Sequence, residues 1–180
     1  MRIKKEETLA LIIDIQEKLF PHIFDFSVFQ NRVNRLITGL KILNIPILLT
    51  EQYSKGLGKT ILPVKSLIPE INPYEKISFS CCEDSLVESK ILQSGKKFVI
   101  AAGIEAHICV LQTVIDLIEN GLIPVVVSDC VSSRKENDKL IALERMKNEG
   151  AIMTTYESLL MELCRRAGDD QFKAISATIK

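Results

Sequence analysis

The chain has 180 residues, a length that favours one domain whose core needs no disulfide or metal staple. Basic and acidic side chains number 23 each. No surplus of positive charge is therefore present to neutralise phosphates, which argues against nucleic acid as a partner.

Two apolar periods alternate along the chain. Residues 9–13 are continuously apolar, the pattern of a strand covered on both faces. Residues 29–43 repeat Val33, Leu36, Ile37 and Leu40 at helical spacing. Residues 46–50 read as a second strand. Residues 51–72 form the least regular stretch, marked by Gly56, Gly58, Pro63 and Pro69, and long loops of this kind in compact domains often carry function. Tyr74, Ile77 and Phe79 predict a strand near residues 74–79. Glu83, Asp84 and Ser85 then place acid in the first turn of a helix running toward Gln93. Residues 97–103, 122–128 and 151–155 are three further strands. The helices between them cover 108–118, with Val110, Val114, Leu117 and Ile118, and 139–147, with Leu140, Ile141, Leu143 and Met146. Asn44, Gly95, Gly121 and Gly150 stand where helix gives way to strand, as carboxyl caps do. Phe172, Ile175 and Ile179 make the last segment mildly apolar, to dock on the domain or on another subunit.

This alternation implies parallel pairing through right-handed crossovers, so the fold class is α/β with a doubly wound sheet, in a single domain over residues 1–180. The longest apolar runs fall far short of the roughly 20 residues that a membrane span needs. The basic start MRIKK is followed by an apolar run that Asp14 cuts, which does not match a secretory leader. Cys81, Cys82, Cys109, Cys130 and Cys164 are odd in number and irregularly spaced. The expectation is a cytoplasmic protein with free thiols.

Ligands of open parallel sheets bind beyond the carboxyl ends of the strands. Asp14 ends the first strand, Lys76 lies in YEKISFS, and Cys109 begins the helix after a buried strand in AAGIEAHICV. Near a helix amino end, unpaired N–H groups favour thiolate. A nearby lysine lowers the thiol pKa further, and a carboxylate accepts the proton. Those same N–H groups face the oxyanion of an acyl-transfer intermediate. Taken singly, each residue also has a plain reading: Cys109 as core, Asp14 as a helix cap, Lys76 as a solvated side chain. Other motifs are absent. Gly58-Lys59-Thr60 lacks the earlier glycine of a phosphate loop, where Tyr53 stands, and neither G-x-S-x-G nor G-x-G-x-x-G occurs. Cys81 and Cys82 are adjacent rather than spaced as a redox pair.

The order D-x-Q at Asp14, T-E-Q-Y at Thr50, K-x-x-F-S at Lys76 and G-I-E-A-x-x-C ending at Cys109 resembles the isochorismatase-like cysteine hydrolase superfamily. TEQYSKGLG and the stretch from SSRKENDKL to QFKAISATIK are similar to its subgroup of isochorismatase domain-containing proteins. The resemblance covers nearly the whole chain. It implies a three-layer α/β/α domain on a six-stranded, mostly parallel, Rossmann-like sheet. It also implies a triad of Asp14, Lys76 and Cys109, a cis peptide between Ile104 and Glu105, and an oxyanion hole from the backbone N–H groups of Glu105 and Cys109.

On that reading the expected function is metal-independent hydrolysis of a small amide-type C–N substrate through a thioester. Gln16, Phe20, Tyr53 and Phe79 are expected to line the pocket. No cofactor is implied, and the expected partners are a small-molecule substrate and further copies of the chain as a homo-oligomer. Nicotinamidases of the superfamily carry an aspartate and histidines for a metal just after the second strand. TEQYS has no histidine, and His22 and His107 form no ligand cluster, so no metal is expected. Relatives that cleave the vinyl ether of isochorismate tend to lack the cysteine, so Cys109 favours amidase-like chemistry. The alternative is an oligomeric binding protein of the same fold with little or no turnover.

Overall fold

A computed structural model describes residues 1–168 and 170–180. Its centre is one six-stranded sheet: β1 (Thr8–Ile13), β2 (Ile47–Gln52), β3 (Tyr74–Lys76), β4 (Phe98–Ile104), β5 (Ile123–Ser132) and β6 (Ile152–Thr154). The spatial order is β3-β2-β1-β4-β5-β6 and every pairing is parallel.

The continuous apolar runs are explained by two cores. Ala10 and Ile12 of β1, with Phe98, Ile100, Ala102 and Ile104 of β4, face one cluster. Leu9, Leu11 and Ile13, with Val99 and Ala101, face the other. Neighbouring side chains point to opposite faces of a strand, so a strand with both faces covered has no polar position to spare. α1 (Phe26–Ile42), α7 (Tyr156–Cys164) and α8 (Asp170–Ile179) contribute buried residues to the first cluster. α4 (Ser85–Gln93), α5 (Leu111–Glu119) and α6 (Glu136–Glu149) contribute to the second. The result is the three-layer α/β/α architecture. Among the described residues no helix is long and apolar enough to cross a membrane.

The element boundaries moved for local reasons. Asp84 is not in the first turn but caps α4, its Oδ1 accepting the N–H groups of Leu86 and Val87 at 3.1 Å. The helix read over 108–118 is in two parts, a π-helical turn at Ala106–Val110 and then α5. β3 stops at Lys76 rather than continuing to residue 79, because the Lys76 ammonium draws the carbonyls of Ser78 and Phe79 toward itself. The irregular stretch holds two single-turn helices, α2 (Ser54–Leu57) and α3 (Leu62–Lys65). The last segment docks on its own domain: Ile175 of α8 is fully buried, and Gln171 donates to the Ile42 carbonyl at 3.0 Å.

The chain order reverses between β1 and β4, so a crevice forms beyond their carboxyl ends. Gly103 allows those strands to close there. It pairs with Ile13 at φ 136°, and a Cβ would lie 2.0 Å from the Ile13 carbonyl oxygen. Gly103→Ala should therefore lose on the order of 3 kcal/mol of stability, read by urea denaturation. An unchanged midpoint would show that the strands can part without cost.

Candidate active site

Six fully buried residues of β1 lead to Asp14, which takes φ 51°, a left-handed turn that aspartate tolerates. The turn leaves its carboxylate fully buried. Oδ1 accepts the Thr50 hydroxyl at 2.7 Å, and Oδ2 accepts the Lys76 ammonium at 2.6 Å. Lys76 also donates to the carbonyls of Ser78 at 3.1 Å and Phe79 at 2.9 Å. All three ammonium protons are thus used, which is the condition for a cation to lie in the interior. Burial pulls the Lys76 pKa down, but the Asp14 charge and the thiols of Cys81 and Cys109 outweigh it, and the net shift is upward.

Cys109 sits in the π-helical turn after β4, 3% exposed, with its Sγ 3.4 Å from Gln52 Oε1. Its thiol pKa is raised, not lowered as the helix position and the lysine suggested. Burial is the largest cause; the Asp14 charge and a hydrogen bond to Asp14 add to it, and Lys76 only partly opposes them. The resting group is a neutral thiol beside a carboxylate.

Cys81 packs behind the pair, fully buried, its backbone N–H donating to Thr113 Oγ1 at 2.9 Å, and burial with the Asp14 charge pushes its thiol up to about 12. The Thr113 hydroxyl in turn donates to the Cys109 carbonyl at 2.7 Å.

The Ile104–Glu105 peptide is cis. Glu105 is 5% exposed, and its Oε1 accepts from Arg134 Nε at 2.8 Å. Cys109 and Glu105 open onto a cavity of about 250 Å³, also lined by Tyr53 and Phe79, whose rings are about half exposed.

Two expected lining residues do not belong to that cavity. Gln16 is fully buried and braces the chain instead. Its Oε1 accepts the Gln52 N–H at 2.8 Å, and its Nε2 donates to the carbonyls of Gln52 at 3.0 Å and Gly58 at 2.8 Å. Phe20 packs edge-on to Phe26, ring centroids 5.5 Å apart, at the margin of the core. Leu19, Gln52, Leu57 and Ile108 complete the lining, and the sequence reading did not name them. Gln52 stood within T-E-Q-Y and Ile108 beside Cys109; Leu19 and Leu57 had no signal of their own. His107 meets Ser133 Oγ at 2.9 Å. Among the described residues no group of three His, Cys, Asp or Glu side chains is arranged to hold a metal ion.

The Isochorismatase domain family matches residues 8–158. The chain belongs to the isochorismatase family. It is 38% identical to isochorismatase domain-containing protein 2 of Danio rerio, over 97% of this chain and 87% of that one. This isochorismatase-family chain also superposes on the MAR1 ribonuclease of Caenorhabditis elegans with a TM-score of 0.91 and 36% identity, over 99% of this chain and 92% of that chain. YcaC of Pseudomonas aeruginosa, solved with hexane-2,5-diol and covalent acrylamide, superposes with a TM-score of 0.91 and 26% identity, over 98% and 91%.

Asp14 adds to the rise that burial gives the thiol pKa, so Asp14→Asn should bring it part of the way down. Iodoacetamide labelling of Cys109 at pH 7.5, read by peptide mass spectrometry, is expected to run about tenfold faster in the variant than in the native chain. Equal or slower labelling contradicts the electrostatic account of this site.

Proposed function

We propose that the chain is a metal-independent cysteine hydrolase of a small amide-type substrate. The observation that carries the proposal is the placement of a thiol at the wall of a cavity, beside a buried carboxylate paired to a lysine. Asp14 takes the Cys109 proton as the sulfur attacks the substrate carbonyl carbon, so the thiolate forms only as the reaction begins. Lys76 balances charge and fixes the carboxylate. The backbone N–H groups of Glu105 and Cys109 are the proposed donors to the oxyanion. Collapse of the tetrahedral intermediate expels the amine, which takes the proton from Asp14. Water, giving a proton back to Asp14, then attacks the thioester. The acid leaves, and the thiol recovers its proton.

The family match supports hydrolase chemistry in general, and covalent acrylamide in the Pseudomonas aeruginosa relative fits a nucleophile in a comparable fold. The ribonuclease name of the Caenorhabditis elegans neighbour does not fit this cavity. No lysine, arginine or histidine lines the cavity beside Cys109. Nothing there meets the phosphates of RNA. The proposal extends to a homo-oligomer in the cytoplasm. Ile77, 71% exposed, and Phe79 leave apolar surface near the cavity for a second copy.

Ammonia release from a panel of small neutral amides tests the reading. Cys109→Ala should lower turnover at least about 10³-fold while the circular dichroism spectrum stays that of the native fold. If the variant matches the native chain on every amide, the hydrolase reading fails and a binding protein of this fold remains.

A further inference from the structure

Gln52 is the one carboxamide side chain lining the cavity, and its main chain is held on both sides. It is the last residue of β2, in register with Lys76 of β3. Its main-chain N–H and carbonyl are both held by the fully buried Gln16 side chain. Its side-chain Nε2 donates to the Ile77 carbonyl at 3.3 Å. A carbonyl accepts and does not donate, so this contact assigns the amide: nitrogen toward Ile77, Oε1 toward Cys109 Sγ at 3.4 Å.

Leu19, Leu57, Phe79 and Ile108 make most of the cavity lining apolar, and Tyr53 adds a phenol ring. The charged group in the wall is the Glu105 carboxylate, and Asp14 adds a second negative charge beside the sulfur. Each carboxylate is already matched by a cation, Lys76 on Asp14 and Arg134 on Glu105, and the lining holds no further cation, so a substrate carboxylate finds no counter-charge there.

We propose that Gln52 selects the substrate, its Oε1 accepting an N–H of the leaving nitrogen, so that the site takes uncharged amides with small apolar acyl groups and discriminates against esters. This rests on the hydrolase reading above. When Cys109 hands its proton to Asp14, Oε1 loses the S–H donor it faced. A substrate N–H takes that place. An ester offers only an oxygen there, which sets one acceptor against another at the Gln52 carbonyl.

Paired substrates test the proposal: N-methylamides and methyl esters of the same acyl groups, from acetyl to octanoyl and benzoyl, which differ by N–H against O. Gln52→Met keeps length and removes the acceptor. It should lower kcat/KM for the amide tenfold to a hundredfold and leave the ester within about threefold. Equal losses on amide and ester, with turnover still abolished by Cys109→Ala, overturn the role of Gln52 alone and leave the hydrolase reading standing. Absence of Cys109-dependent turnover of any pair overturns both. Should Gln52→Met not fold, calorimetry on the Cys109→Ala protein decides instead. The N-methylamide is expected to bind at least about tenfold tighter than its ester, and equal affinity overturns the proposal.

Discussion

A carboxylate and an ammonium 2.6 Å apart, both with fully buried side chains, govern the rest of this structure. Charges leave water at high cost, and an interior ion pair persists only where its remaining hydrogen-bonding sites are filled. The surrounding chain fills them. Thr50 covers the second Asp14 oxygen, and the carbonyls of Ser78 and Phe79 take the other two Lys76 protons. These demands shape the backbone: β3 ends after three residues, Asp14 turns left-handed, and β1 closes onto Gly103. The pair lies at the reversal point of the sheet, where parallel strands leave their ends open to a ligand.

The pair also sets the state of the sulfur. A lysine alone beside a cysteine favours thiolate, but here its charge is already committed to Asp14. What Cys109 experiences is burial and a net carboxylate, and both favour the thiol. On the proposed mechanism Cys109 becomes a nucleophile only when a substrate carbonyl is present and the proton moves to Asp14. Gln52, braced by Gln16, holds the other side of the sulfur.

Most of the architecture was legible in the sequence because it is written in apolar periodicity. Both-face burial produced unbroken runs in β1 and β4, and Asn44, Gly95, Gly121 and Gly150 take positive φ just beyond helices. The juxtaposition of Asp14, Lys76 and Cys109 was implied by the family resemblance of the ordered motifs, since their places near strand ends alone also fitted a cap, a solvated lysine and a core cysteine. The protonation of Cys109 was not, because burial depends on packing that no local pattern records. Gln16 and Phe20 were misplaced for a related reason. Both follow β1 closely, but Gln16 was needed to satisfy main-chain groups of β2, and Phe20 was taken up by Phe26 and Phe29. Leu19 and Leu57 reach the cavity only because the turn after β1 folds against α2, an encounter distant in sequence.

A chemical trap tests the central claim most directly. A small neutral amide that the protein turns over is mixed with it and quenched in acid within milliseconds, and the digested peptides are weighed. The account predicts a mass increase equal to the acyl group on the peptide carrying Cys109, and on no other cysteine. Turnover without any such adduct, or an adduct on Cys81 or Cys82 instead, would contradict it.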